Sequence, residues 1–409
     1  MVNYNKVKDK LLQYNQMQVL NFWDSLSEDE QESLCAQVEK TDFDIIENSI
    51  NSKEVETSGD ISPISVLSVP EIETVRDRFL EVGLRAVKEG KVAAVLLAGG
   101  MGTRLGSDNP KGMYDIGITR PVYIFERLIE NLMETVARAE CYIHLFIMTS
   151  EKNNDATVEF FKDNDFFGYP SDYVHFFVQE MAAATDYNGK VYMEEKSRIA
   201  TSPNGNGGWY VSLKKAGYDK VIEDNGIQWL NVFAVDNVLQ RIADPCFIGA
   251  TIEQQCVCGA KVIRKVDRDE KVGVLCLEDN HPSIIEYYEL TDEMKDAVDE
   301  KGEPAYNFGV ILNYLFGVKE LDAIVAQKLP LHIVEKKIPY INEQGEYISP
   351  DEPNGYKYET LILDMIKMLD SCCAYEAVRE KEFAPIKNLT GVDSVESARA
   401  LLKNNGIEL

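Results

Sequence analysis

An apolar run, Val92-Ala-Ala-Val-Leu-Leu-Ala98, opens directly into Gly99-Gly-Met-Gly-Thr-Arg-Leu-Gly-Ser-Asp-Asn-Pro-Lys-Gly112. The run has the length and branching of a strand buried on both faces, the strand type of a parallel sheet. The loop carries five glycines with two cations, Arg104 and Lys111. Glycine lets the backbone approach a ligand and turn its N–H groups inward. The cations add formal charge where those dipoles point. The loop therefore reads as a cradle for the polyphosphate of a nucleotide, with a plain strand-end turn as the alternative. A P-loop is excluded, because Gly106 is followed by Ser107 and Asp108 rather than by Lys and a hydroxyl residue. A dinucleotide-binding turn is excluded too: its third glycine would fall one residue earlier, and Pro110 keeps the chain before it out of the helical region.

The rest of the composition narrows the partners. A net charge of −27 over 409 residues argues against nucleic acid and anionic membranes, so any phosphate site must be a local cationic island. Residues 1–10 alternate polar and charged groups without a secretory signal, and no apolar run approaches the roughly 20 residues of a membrane span. The eight cysteines are scattered; Cys256-Val-Cys258 and Cys372-Cys373 lack zinc-ligand spacing, and none of the four histidines pairs at metal-site spacing. The expectation is a cytoplasmic protein with reduced thiols.

Taken in order, residues 1–88 read as an N-terminal helical lobe, with a capping box at Ser27-x-x-Glu30. A polar linker is expected over residues 51–68, and Pro70 then opens a helix that Gly90 ends. From residue 89 to 340 strands alternate with helices: apolar runs at 142–148, 173–178 and 227–235, a helix at 155–162, and an Asn-Gly hairpin signal at 186–190. This argues for a Rossmann-like α/β domain with a mixed, mostly parallel sheet and ligands at the carboxyl ends of its strands. Runs at 258–265, 272–277 and 283–290 read as an added antiparallel patch. Residues 341–409 read as a small C-terminal lobe, with helices at 358–369 and after a cap at Asp393-x-x-Glu396.

Several further residues have chemistry to offer. Asn204-Gly205-Asn206-Gly-Gly permits close backbone approach to a base or ribose, or is a flexible turn. Asp236, ending a buried run, suits Mg²⁺ shared with phosphate oxygens, or caps a helix; the two roles are compatible. Gln179 could read a base edge, and Glu286 could accept sugar hydroxyls or face solvent. Asn307 and Gly309 precede an apolar run read as a helix, where Asn307 would be its cap. Lys357 and Lys387 follow proline-bearing turns.

In sum these stretches resemble the eukaryotic UDP-N-acetylglucosamine pyrophosphorylases. The resemblance rests on ten ordered motifs: residues 97–106, Pro-Lys-Gly-Met at 110–113, Met-Thr-Ser-Glu at 148–151, residues 204–208, Val-Asp-Asn at 235–237, residues 243–249, Cys-Gly-Ala-Lys-Val at 258–262, Lys-Lys-Ile-Pro-Tyr at 336–340, residues 353–357 and Pro-Ile-Lys-Asn at 385–388. It implies a nucleotidyltransferase that turns UTP and N-acetylglucosamine 1-phosphate reversibly into UDP-N-acetylglucosamine and pyrophosphate, with Mg²⁺ or Mn²⁺. It places the Gly99–Arg104 loop, with Gly99, Gly100, Gly102, Thr103 and Arg104, and Lys111 on the phosphates, and counts Leu97 and Ala98 before it among the substrate-binding residues. Gln179 and Gly205 fall at uracil-contacting positions and Asn206 at a sugar-contacting one; Gly273, Glu286, Tyr287 and Asn307 line the hexosamine pocket. Asp236 matches the metal position, and Lys357 and Lys387 match lysines that reach toward the phosphates. A monomer or weak dimer is expected. The alternatives are a uridylyltransferase with another or broader sugar preference, such as galactosamine or glucose phosphates, or a weakly catalytic nucleotide-sugar-binding protein.

Some positions depart from the family pattern. Gly117-Ile-Thr-Arg-Pro121 stands where relatives have Gly-Leu-Pro-Ser, and Glu180 adds negative charge beside the expected uracil site. Val310 and Tyr314 replace an Asn and a His. The chain ends soon after Lys387, so the longer β-rich lobe of larger relatives is expected to be missing.

Overall fold

The computed structural model describes residues 4–44, 46–47, 59–327 and 329–409. Contacts divide the chain into two units, one of Met1–Thr57, Glu180–Gly208 and Leu329–Ile362, the other of Ser58–Gln179, Trp209–Lys328 and Leu363–Leu409. These units cut across the three consecutive segments expected from the sequence, because the chain leaves each unit and returns to it. Residues 51–58 of the expected linker lie outside the described residues.

The larger unit is built on one sheet. Its strands are β1 (Ile61–Pro63), β2 (Val66–Leu67), β3 (Val92–Leu97), β4 (Leu145–Thr149), β5 (Val174–Val178), β6 (Trp229–Ala234), β7 (Cys258–Arg264), β8 (Val274–Glu278), β9 (His281–Ile285), β10 (Phe308–Gly317) and β11 (Cys372–Glu376). The spatial order along the main path is β2-β11-β7-β10-β6-β3-β4-β5. All neighbours on it run parallel except β10, which opposes both β6 and β7. The antiparallel patch exists as β8 with β1 and β9, whereas β7 belongs to the main sheet. Every residue of β3 is buried, as its unbroken apolar run requires of a strand covered on both faces.

Helices cover this sheet. Ile124–Ala139 buries Ile124, Phe125, Leu128, Ile129, Leu132 and Val136 at helical spacing in the core cluster that also takes in β3. Each such side chain contributes about 2 kcal/mol by leaving water. Helices Val69–Lys88 and Pro245–Glu253 approach until their backbones touch. A Cβ at Gly83 would collide with the Pro245 carbonyl, and one at Gly249 with the Phe79 carbonyl. Only glycine fits either site.

The smaller unit packs helices Tyr4–Gln13 and Glu28–Lys40 on short antiparallel strands. Its core joins Val7, Leu11, Leu34, Val38 and Phe43 to Ala183, Ile199 and Tyr358. The Ser27–Glu30 box forms as expected, with Ser27 N–H donating to Glu30 Oε2 at 2.8 Å. Gln16 ties the helices to the Asn-Gly hairpin: its Nε2 donates to the Gly189 carbonyl at 2.8 Å and its Oε1 accepts from Val191 N–H at 2.9 Å.

Four local expectations are corrected. The run after Asn307 is the ten-residue strand β10 rather than a helix, so Asn307 caps nothing; an apolar run has no periodicity to separate the two. The expected helix at 358–369 shrinks to Ile362–Lys367, because Tyr356 and Tyr358 pair with strand His332–Lys336 and the Tyr358 hydroxyl lies 2.7 Å from Thr185 Oγ1. The last helix, Val395–Asn404, is capped by Ser394 rather than Asp393. Finally, β1 and β2 fall inside the segment read as linker, where they extend the sheet.

Candidate active site

The loop after β3 is folded on itself. Gly102 N–H donates to the Asn109 carbonyl at 2.8 Å and Lys111 N–H to the Gly100 carbonyl at 3.1 Å, around a 3₁₀ turn at Thr103–Leu105 that ends on left-handed Gly106. Leu97 and Ala98 are buried at the strand end, Thr103 and Arg104 are exposed, and a Cβ on Gly100 would meet only open space. Gly112 lies under the Phe125 ring, which fixes where Lys111 leaves the loop. Neighbouring strands brace the loop from one side. Asn153, fully buried after β4, donates to the carbonyls of Ala98 at 2.9 Å and Gly100 at 3.3 Å, while its Oδ1 accepts from Ser150 N–H at 2.7 Å. Gln179, just past β5, is buried, and its Oε1 lies 2.9 Å from where a Cβ on Gly99 would stand.

The charged groups converge here. Asp236 follows β6, the parallel neighbour of β3, and its Oδ2 lies 3.9 Å from Lys111 Nζ, both side chains being largely buried. Burial pushes the Lys111 ammonium below the usual lysine range. Asp236 opposes that shift, and the charges of Lys387 and Arg104 reinforce it. The charges of Arg104 and Lys387 thus act on Lys111, and two carboxylates accompany the three cations, Asp236 near Lys111 and Asp393 on Lys387. Lys387 Nζ also pairs with Asp393 Oδ2 at 3.0 Å. An arrangement with excess positive charge and an open glycine face suits a polyphosphate.

A second group forms beside β10. A Cβ on Gly273 would stand 3.7 Å from the Glu286 carboxyl carbon and 3.6 Å from Val310 Cγ2, and Val310 N–H donates to the Gly273 carbonyl at 2.9 Å. Burial, with the charge of Glu289 adding to it, raises the Glu286 pKa. Tyr287 is partly exposed beside it. Asn307 uses its carbonyl to accept from Lys265 N–H at 2.9 Å. Tyr314 is a core residue of β10, 2% exposed.

Gly205, Asn206 and Lys357 belong to the smaller unit. Gly205 has φ +85° and a Cβ there would collide with the Thr360 carbonyl, so glycine is required twice over. Asn206 Oδ1 accepts from Ile362 N–H at 2.9 Å, leaving its Nδ2 to donate elsewhere. Lys357 sits on strand Gly355–Glu359 opposite Val334. Sequence reasoning missed the supporting parts of Asn153, Asn237 and Asp393, which hold the loop and the stretch of Lys387; Asn237 figured there only in a motif and Asp393 only as a helix cap. The only signal for them is position: each lies within a few residues of a strand end or of a site lysine.

Over residues 42–409 the chain matches the family described as UTP–glucose-1-phosphate uridylyltransferase. The UDP-N-acetylglucosamine pyrophosphorylase of Saccharomyces cerevisiae is 33% identical over 419 residues, 96% of this chain and 88% of that protein. The UDP-N-acetylhexosamine pyrophosphorylase-like protein 1 of Mus musculus is 37% identical over 325 residues, 77% of this chain but 64% of the relative, so this chain spans under two thirds of that protein. The crystal structure of the Trypanosoma brucei uridine diphosphate N-acetylglucosamine pyrophosphorylase superposes with a TM-score of 0.83 at 28% identity, covering 96% of this chain and 83% of that one. The chain belongs to the UTP–glucose-1-phosphate uridylyltransferase family and, within it, to the eukaryotic-type UDP-N-acetylglucosamine pyrophosphorylases.

Proposed function

We propose that this chain transfers a uridylyl group from UTP to N-acetylglucosamine 1-phosphate. The observation that carries the reading is the cluster of Arg104, Lys111, Asp236 and Lys387 around an open glycine loop, with Glu286 and Gly273 beside β10 to receive the sugar. The names of the relatives agree with it. In the reaction an oxygen of the sugar phosphate bonds to the α-phosphorus of UTP as the bond to the β-phosphate oxygen breaks, and pyrophosphate leaves. The attacking oxygen is already ionised near neutral pH, so no general base is required, and the scarcity of histidine is no obstacle. Catalysis then rests on aligning two anions and neutralising their charge. Arg104, Lys111 and the loop N–H groups supply that neutralisation from one side and Lys387 from another.

Mg²⁺ fits the residues present. Among the described residues no three His, Cys, Asp or Glu side chains stand together as a metal site, but Mg²⁺ needs only one or two carboxylates with substrate phosphates and water. Asp236, at a strand end beside the phosphate loop, would hold it. Bound there, the ion would neutralise phosphate charge and orient the leaving group. We place the reaction in the cytoplasm and the chain as a monomer or weak dimer; all eight cysteines are free thiols, in keeping with a reducing compartment. No helix among the described residues is long and apolar enough to cross a membrane.

Pyrophosphate release from UTP across a panel of sugar 1-phosphates tests the reading. N-acetylglucosamine 1-phosphate is expected to react fastest, and chelation of divalent cations to abolish turnover. No release with any of the sugars would remove the enzymatic reading; a faster rate with glucose 1-phosphate would reassign the substrate.

A further inference from the structure

The stretch that delivers Lys387 to the site has no strand or helix of its own to hold it. The side chain that ties it to the sheet is one buried amide in the turn after β6. Asn237, 1% exposed, accepts from Ala384 N–H at 2.9 Å through Oδ1 and donates to the Glu382 carbonyl at 2.8 Å through Nδ2. Its bond within its own turn, from Leu239 N–H, is longer at 3.4 Å, so capping is the lesser of its roles. Backbone pairing continues the seam: Asn237 bridges Pro385, and Ile386 N–H donates to the Asp236 carbonyl at 2.9 Å. Lys387 is the next residue.

The seam is anchored at both ends. Upstream, the buried Glu382 carboxylate pairs with Lys261, which is fully buried and also binds Asp244 Oδ2 at 2.8 Å. Arg241 approaches the same carboxylate at 3.7 Å. Burial alone would lower the Lys261 pKa, but Asp244 and Glu382 outweigh it and hold the ammonium charged. Downstream, the Asp393 carbonyl accepts from Lys387 N–H at 2.6 Å and from Asn388 N–H at 3.0 Å. The lysine can therefore stray only as far as Asn237 and its neighbours allow.

We infer that Asn237 is a positioning residue of the uridylyl transfer, clipping residues 382–386 to the end of β6 so that Asp236 and Lys387 act as one charge clamp. The inference rests on the proposed function and concerns geometry held before substrate arrives. A residue that acts this way works through Lys387, so its loss should matter only while Lys387 is there to be misplaced.

A double-mutant cycle on pyrophosphate release reads this directly. Asn237→Ala is expected to lower kcat about tenfold or more while KM for UTP stays within about threefold. In a Lys387→Ala background the same change should cost less than about twofold further. An equal factor in both backgrounds, or an unchanged kcat in the single variant, would overturn the inference. Should Asn237→Ala not fold, Asn237→Asp keeps the acceptor for Ala384 N–H, loses the donor to Glu382, and goes through the same cycle. If wild type itself releases no pyrophosphate with any sugar phosphate, it is the functional reading that fails. Amide exchange at Ile386 then decides the clip: about tenfold faster exchange in Asn237→Ala supports it, and an unchanged rate refutes it.

Discussion

Burial lowers the pKa of Lys111, Asp236 raises it, and the charges of Lys387 and Arg104 lower it again. A largely desolvated ammonium beside two like charges is a poor arrangement for folding and a useful one for a tetra-anionic ligand. Lys111→Met keeps the stem that packs in the loop and removes the charge. It is expected to leave the melting temperature unchanged or slightly raised while kcat falls about a hundredfold or more. Thermal unfolding and pyrophosphate release on the same preparation check both halves, and a large loss of stability would show that Lys111 is structural. Arg104, Lys111 and Asp236 stood out as candidates because charge at a glycine loop and a carboxylate after a buried run are chemical signals in themselves, whereas Lys387 stood out only through the family resemblance. The supporting parts of Asn153, Asn237 and Asp393 were not legible, because a buried amide or a counter-ion is defined by what it touches across 50 residues or more of chain, or by a backbone turn that composition does not announce.

Elements were legible where their periodicity was distinct. The helix expected at 155–162, found at Asn154–Asp163, and the strands β3 to β6 have one pattern each, and the hairpin has its Asn-Gly. The apolar run of β10 has none, and only its place between β6 and β7 makes it a strand. Its reversed direction matters, since it breaks the parallel order and brings Val310 against Gly273. Contacts between elements were less legible still. The crossing of helices Val69–Lys88 and Pro245–Glu253 depends on Gly83 and Gly249, which look like weak points in a helical pattern until the partner backbone is seen. Gly83→Val would force these helices apart and is expected to destabilise the larger unit by about 2–4 kcal/mol, with a melting temperature lower by several degrees. A variant melting with wild type would mean that the helices are free to shift.

Over the whole molecule, a net charge of −27 makes acid an ambiguous stress: protonating surface carboxylates relieves repulsion, so a loss of stability in mild acid needs a specific cause. The histidine pair between β4 and β5 is one. His144 Nδ1 and His175 Nε2 lie 2.9 Å apart, so at least one ring must be neutral to accept the proton between them. The rings pack among Tyr173, Phe146 and Tyr218, and among the described residues it is the Asn225 side chain, rather than a carboxylate, that favours the charged form of His144. Burial lowers both pKa values, and for His175 the His144 charge adds to it and brings the value down to about 4. A histidine whose pKa is depressed by folding binds fewer protons folded than unfolded. Its contribution is therefore complete above the ordinary value of 6.5 and is lost as pH falls toward about 4. Solvent reaches the half-buried ring, so about 2 kcal/mol is a fair ceiling. His175→Phe removes the titration and keeps the stacking. Between pH 6.5 and 4.5 the variant's melting temperature should fall less than that of wild type, by about 2–4 °C. Parallel curves for the two proteins would move the acid sensitivity elsewhere. A difference confined to this window would show that the histidine pair at the amino ends of β4 and β5 accounts for that part of the acid sensitivity.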